Sequence, residues 1–182
     1  MQGPMEGWCA AGRKGLCRVV AALAFLIGLA LLPAGGTVRA GEEPVLVVSG
    51  AIEGGAPVSF TRAELTALGM TSLTTETPWM ADEALFEGPL LRDLLERVGA
   101  TGDRIEAVAL NNYRVEIPLS DATGYDVILA MRVGGKDMSI RDRGPLWLIY
   151  PWSGHEELRQ ELYYSRAIWQ IREIIVVDSR SR

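Results

Sequence analysis

The chain reads as an α+β protein, a β-rich mixed sheet with short helices. Three observations carry that reading. Apolar runs of strand length recur at 45–50, 105–110, 113–118, 126–133, 146–150 and 169–177. The pairs Gly54-Gly55, Asn111-Asn112 and Gly134-Gly135 stand beside or between such runs, where tight turns need residues tolerant of positive φ. Helical spacing with end signals is confined to brief stretches, of which 62–68 and 86–99 are the clearest.

In chain order, Val45-Leu46-Val47-Val48-Ser49-Gly50 is the first strand, and Gly54-Gly55 turns the chain back through 57–60. Thr61 with Glu64 three residues later makes a capping box for a helix over 62–68, stapled by Phe60 and Leu65 and stopped by Gly69. Residues 70–79 are threonine-rich and extended, with Pro78 excluding a helix. Over 86–99, Leu90, Leu91, Leu94, Leu95 and Val98 form one apolar stripe, with Pro89 in the first turn and Gly99 at the end. Residues 105–110 and 113–118 flank Asn111-Asn112 as a hairpin. Tyr113, Val115 and Ile117 form its buried face and Arg114 and Glu116 its wet one. Residues 126–133 and 136–140 form a second hairpin around Gly134-Gly135. The charged turn 141–145 leads into Leu146-Trp147-Leu148-Ile149-Tyr150, continuous enough for a central strand. A short helix over 156–164 and a closing strand over 169–177 complete the reading.

Of 182 residues, 48% are hydrophobic and 23% charged, with a formal charge of −5. Setting aside Arg13, Lys14, Arg18, Arg39 and Glu6 leaves 14 basic against 22 acidic residues from residue 41 onward. A body so acidic repels phosphate backbones, so nucleic acid is excluded as a partner. Arg13, Lys14 and Arg18 precede a 14-residue apolar run over 19–32, ended by Pro33, and Val38-Arg39-Ala40 offers a signal-peptidase site. The expectation is a signal peptide over 1–40, cleaved after Ala40, and one periplasmic or secreted domain over 41–182. The alternative is a retained anchor, for which 14 residues is short of the roughly 20 that span a bilayer. Membrane contact is then expected only through that uncleaved segment. Both cysteines, Cys9 and Cys17, precede residue 40, so the mature domain has no thiol and no disulfide.

That inventory narrows the chemistry. His155 is the single histidine, so clusters of Cys and His for zinc are ruled out, and no Asp-x-Asp-x-Asp pattern suggests calcium. Ser153-Gly154-His155 lacks the Gly-x-Ser-x-Gly turn of a hydrolase nucleophile. Arg141 and Arg143 bracket Asp142 in a turn, which reads either as a clamp for an anionic group or as a self-neutralised exposed turn. Trp79, Trp147, Trp152 and Trp169 are first core or rim residues, and second a platform for a flat ligand.

Several segments taken together carry a resemblance: Thr77-Pro78-Trp79, Phe86-Glu87-Gly88-Pro89-Leu90-Leu91-Arg92-Asp93-Leu94-Leu95, Ala109-Leu110-Asn111-Asn112-Tyr113, 117–121, 141–151 and Ser165-Arg166-Ala167-Ile168-Trp169-Gln170. In order and spacing, over nearly all of 45–177, they resemble the molybdopterin-binding oxidoreductase domain of the sulfite oxidase family, closest to its short, exported, stand-alone forms. The resemblance implies that family's mixed α+β fold around a buried pterin site, molybdopterin as cofactor, and oxygen-atom transfer at molybdenum in the full enzymes. It assigns cofactor contacts to Trp79, Asn111, Tyr113, Arg141, Arg143 and Arg166, with the arginines meeting phosphate and Asn111 a pterin edge. The family's metal-binding cysteine corresponds to a stretch leading into Trp79, where this chain places Thr74, a hydroxyl in place of a soft thiolate. A glycine- and lysine-containing loop that helps hold the phosphate is replaced after Pro151 by Trp152-Ser153-Gly154-His155-Glu156-Glu157. Arg13-Lys14 is at best a degenerate twin-arginine signal. The expected function is therefore an exported member of that family, lacking the molybdenum-ligating cysteine and with it full catalytic competence. The alternative is a non-catalytic periplasmic ligand- or partner-binding module serving a membrane sensor or redox partner.

Overall fold

The structure, a computed structural model, describes residues 42–180. The expected signal segment, with Cys9 and Cys17, lies outside the described residues. The described residues form eleven strands, arranged in three sheets, and four short α-helices.

The largest sheet has the order β2-β1-β11-β5-β6, built from β1 (Leu46–Gly50), β2 (Val58–Phe60), β5 (Arg104–Ala109), β6 (Arg114–Pro118) and β11 (Ile171–Val177). β1 runs parallel to β11, and the other pairs are antiparallel. The strand that closes the chain is thus central in the sheet. Its Ile171, Ile174 and Val176 are buried beside Leu46 and Val48 of β1. A register shift between Ile171 and Glu173 throws Arg172 toward the β5–β6 turn, where it donates to the Ala109 carbonyl (3.3 Å) and to Asn112 Oδ1 (2.8 Å).

That turn forms as expected. Asn112 takes φ of 66°, and Asn111 Oδ1 accepts from the Tyr113 amide at 3.0 Å. On the face that Tyr113, just before β6, shares with Val115 and Ile117, burial rises from an exposed Tyr113 through a half-buried Val115 to a fully buried Ile117, so Tyr113 belongs to a rim and not to the core.

The second sheet, β3-β4-β8-β9, contains β3 (Thr71–Thr75), β4 (Ala84–Gly88), β8 (Arg132–Val133) and β9 (Lys136–Asp137). The third pairs β7 (Ile128–Ala130) with β10 (Trp147–Ile149), both wholly buried. Leu146–Tyr150 therefore has the burial expected of a central strand but a single partner strand. The expected second hairpin is confined to β8 and β9, because β7 leaves that pairing for β10.

Helix α1 (Arg62–Ala67) carries its capping box in full. The helix expected from residue 86 begins only at Leu91, as α2 (Leu91–Arg97), because residues 84–88 are a strand. Gly88 explains the difference: a Cβ there would collide with the Leu129 carbonyl, so backbone meets backbone where a helix would need side-chain room. Pro89 and Leu91 continue the ladder, accepting from Leu129 and donating to the Val127 carbonyl, both at 2.9 Å. Helix α3 (Leu119–Gly124), absent from the sequence reading, starts from Pro118 and turns Asp121 into the interior. The helix expected over 156–164 is a 3-10 turn (Glu156–Leu158) followed by α4 (Glu161–Arg166). Among the described residues, no helix is long and apolar enough to cross a membrane.

Candidate functional site

The loop between β3 and β4 positions the centre of the site, and side-chain oxygens hold that loop. At the end of β3 the side chains alternate, with Thr74 exposed and Thr75 completely buried. The Ser153 amide donates to Thr75 Oγ1 (3.0 Å), the Glu76 amide donates to Ser153 Oγ (2.9 Å), and Ser153 Oγ donates to Glu83 Oε1 (2.8 Å). These bonds tie both ends of the loop to the Trp152-Ser153 turn. The inward hydroxyl at this end of β3 is thus that of Thr75, and Thr74, expected at the position of the metal ligand, faces solvent. Counting in steps of two from the half-buried Leu73 identifies Thr75.

Held this way, Trp79 inserts among aromatic rings. Its centroid lies 5.6 Å from Trp169, 5.7 Å from Trp147, 6.1 Å from Trp152 and 6.3 Å from Tyr164, all edge-on. Trp147, on β10, is fixed by its indole N–H donating to the Ala167 carbonyl at 3.1 Å. Trp152 is buried, and its Nε1 has no partner among the described residues.

Beside this cluster opens a cleft of about 470 Å³ between the β5–β6 turn and α4. Trp79, Asn111 and Tyr113 line it together, so three of the residues assigned to cofactor contact share one wall system. Trp169 and Tyr164 supply further rings, and Glu161 is the charged residue among the lining side chains. Asn111 spends its carbonyl oxygen on the turn, and its amide NH₂ has no protein acceptor among the described residues. Sequence reasoning missed Glu161 and Tyr164. Their spacing i, i+3 on a short polar helix gives no signal without knowing which face the cleft takes.

The three arginines do not converge there. Arg141 and Arg143 line a separate open basin of about 570 Å³ with Lys136, Met80, Met138 and Trp147. Arg143 is left-handed (φ 68°), with its guanidinium 5.0 Å from the Trp147 ring and 5.8 Å from that of Trp169. Trp169 thus stands between this cation and the cleft. Arg166 is committed elsewhere. It donates to Asp121 Oδ2 at 2.8 Å and stacks 5.3 Å from the Tyr163 ring, and the same oxygen accepts from the Tyr150 hydroxyl at 2.8 Å. Burial, then the adjacent Asp121 carboxylate, pushes the Tyr150 phenol far above its ordinary range, so it stays a proton donor to Asp121 at any physiological pH. The triad ties α3, the residue that follows β10, and α4 together.

A family model described as the oxidoreductase molybdopterin binding domain matches residues 54–157, from the β1–β2 turn through the Trp152-Ser153 turn. No curated protein matches the chain.

Proposed function

We propose that this chain, which belongs to the oxidoreductase molybdopterin binding domain family, the molybdopterin domain of the sulfite oxidases, is a non-catalytic, ligand-binding member that keeps the fold and uses the aromatic cleft to hold a flat organic ring. The observation that carries the proposal is the donor set. Residues 42–180 contain no cysteine, and the buried hydroxyl at the end of β3 is already bonded to the Ser153 turn. Among the described residues no three His, Cys, Asp or Glu side chains group as metal ligands. These residues do not fit a thiolate-held molybdenum ion, so no oxygen-atom transfer is derived for them.

The cleft fits ring binding on physical grounds. Its walls are π surfaces, it has an amide donor at Asn111, and its volume is within the range of small-ligand sites. We further propose that the chain is exported, on the strength of the basic residues, apolar run and small-residue cleavage site before residue 41, and that a membrane sensor or redox protein reads its ligand state.

Titration with quinoline, a neutral flat heterocycle, followed by tryptophan fluorescence, tests the reading. Saturable quenching is expected, since Trp169 is 37% exposed at the cleft, and Trp169→Ala should weaken it. Arg143→Gln, across the ring in the other basin, should leave it within about twofold. Quenching that never saturates, or that Trp169→Ala leaves intact, would overturn the assignment of the cleft.

A further inference from the structure

We infer that the cleft selects planar organic cations, such as N-alkylated heteroaromatic rings, over neutral rings and against anionic ones, a claim that rests on the cleft being the ligand site. Four rings line it, Trp79, Tyr113, Tyr164 and Trp169, and an aromatic face carries the negative end of its quadrupole. Glu161 supplies a carboxylate at the rim, exposed and free of any ion pair among the described residues. No Lys or Arg is among the lining side chains.

Four arginines border the residues that line the cleft, and each is already engaged: Arg172 donates to the Ala109 carbonyl and to Asn112 Oδ1, and Arg159 donates to the Trp152 carbonyl. Arg166, on the helix that carries Glu161, is held by Asp121 at 2.8 Å. Arg143 lies against Trp169 and Trp147 and lines the other basin. An anion entering the cleft would therefore meet a carboxylate and ring faces, with no cation among the lining side chains. A phosphate-bearing pterin, the cofactor after which the family is named, is the wrong charge for these walls. A cation gains from both features, and its planar shape gives each ring a face to stack against.

Three probes of one shape separate the contributions: N-methylquinolinium, quinoline and quinoline-4-carboxylate, titrated calorimetrically into the full chain at neutral pH. The cation should bind on the order of tenfold tighter than quinoline, about 1.4 kcal/mol, and the carboxylate more weakly than either. Glu161→Gln should reduce the preference for the cation over quinoline several-fold. Glu96→Gln, an exposed carboxylate on α2 outside the cleft, should leave the ratio untouched, which separates local from overall charge. Equal affinity for cation and quinoline, tightest binding of the carboxylate, or an unchanged ratio in Glu161→Gln would each overturn this inference while the ring-binding cleft survives. Failure of all three probes to bind would overturn both.

Discussion

Asp121→Ala removes the acceptor on which two buried donors depend. Arg166 and the Tyr150 hydroxyl each reach Asp121 Oδ2 at 2.8 Å, and the ion-paired side chains are only 15% and 7% exposed. Deleting one partner of a buried pair costs about 3–5 kcal/mol, chiefly because the remaining charge is left uncompensated. Orphaning the phenol alone accounts for about 1–3 kcal/mol of a similar kind. Since the two donors share one oxygen, the costs overlap, and a total of about 3–5 kcal/mol is expected, on the order of 10–20 °C in Tm for a domain of this size. Asp121→Asn retains an acceptor for Tyr150 and should lose about half as much. Arg166→Met strands the carboxylate and should lose about 3 kcal/mol. The double variant Asp121→Leu/Arg166→Met should lose much less than the sum of its singles, because no charge remains buried. Urea unfolding monitored by tryptophan fluorescence reads all four. An Asp121→Ala variant within about 1 kcal/mol of the parent, or an Arg166→Met variant of parental stability that loses ligand, would refute the assignment of Arg166 to structure.

Other substitutions test the elements that build the site. Gly88→Ala drives a methyl into the Leu129 carbonyl and should cost at least about 2 kcal/mol in denaturant unfolding. Thr75→Val removes the bonds to the Ser153 turn and should cost about 1–3 kcal/mol, whereas Thr74→Val should stay within about 0.5 kcal/mol. Equal losses at the two threonines would overturn the facing assigned to β3. Hydrogen bonds from the Thr61 backbone, then its hydroxyl, hold Glu64 below its ordinary 4.5, and those from Ser179 hold Asp103 below its ordinary 3.8. A lowered folded value contributes stability that is complete above the ordinary value and lost as pH falls through the folded one. Tm should therefore fall on acidification below 4.5, and the pair Glu64→Gln/Asp103→Asn should flatten that fall.

Local chemistry made much of the fold legible. The Thr61–Glu64 capping box and the Asn111-Asn112 turn depend on neighbours in sequence, and both formed as their residues dictate. Residues 86–88 stand at the front of the expected helix, yet they pair as strand because long-range contact with residues 129–133 outweighs propensity. Helix α3 has six residues and no side-chain cap, so its existence rests on Asp121 meeting Arg166 and Tyr150, partners 45 and 29 positions away. The residues that the resemblance assigns to the cofactor are sorted by the fold. Trp79, Asn111 and Tyr113 lie on or beside turns and reach one cleft. The resemblance groups the three arginines as phosphate contacts, and what separates them is a carboxylate and two indole rings brought in from elsewhere in the chain. Stepping by two along β3 selects Thr75 as the inward hydroxyl, whereas the resemblance assigns the metal-ligand position to Thr74.

The most direct test of the central claim is the molybdenum content per chain of protein purified from a host that makes the cofactor, with pterin assayed by fluorescence in the same sample. Molybdenum far below stoichiometric is expected, because residues 42–180 hold no thiolate and the Thr75 hydroxyl is already engaged. Near-stoichiometric molybdenum retained through gel filtration would contradict the account and require a non-thiolate ligand in this fold.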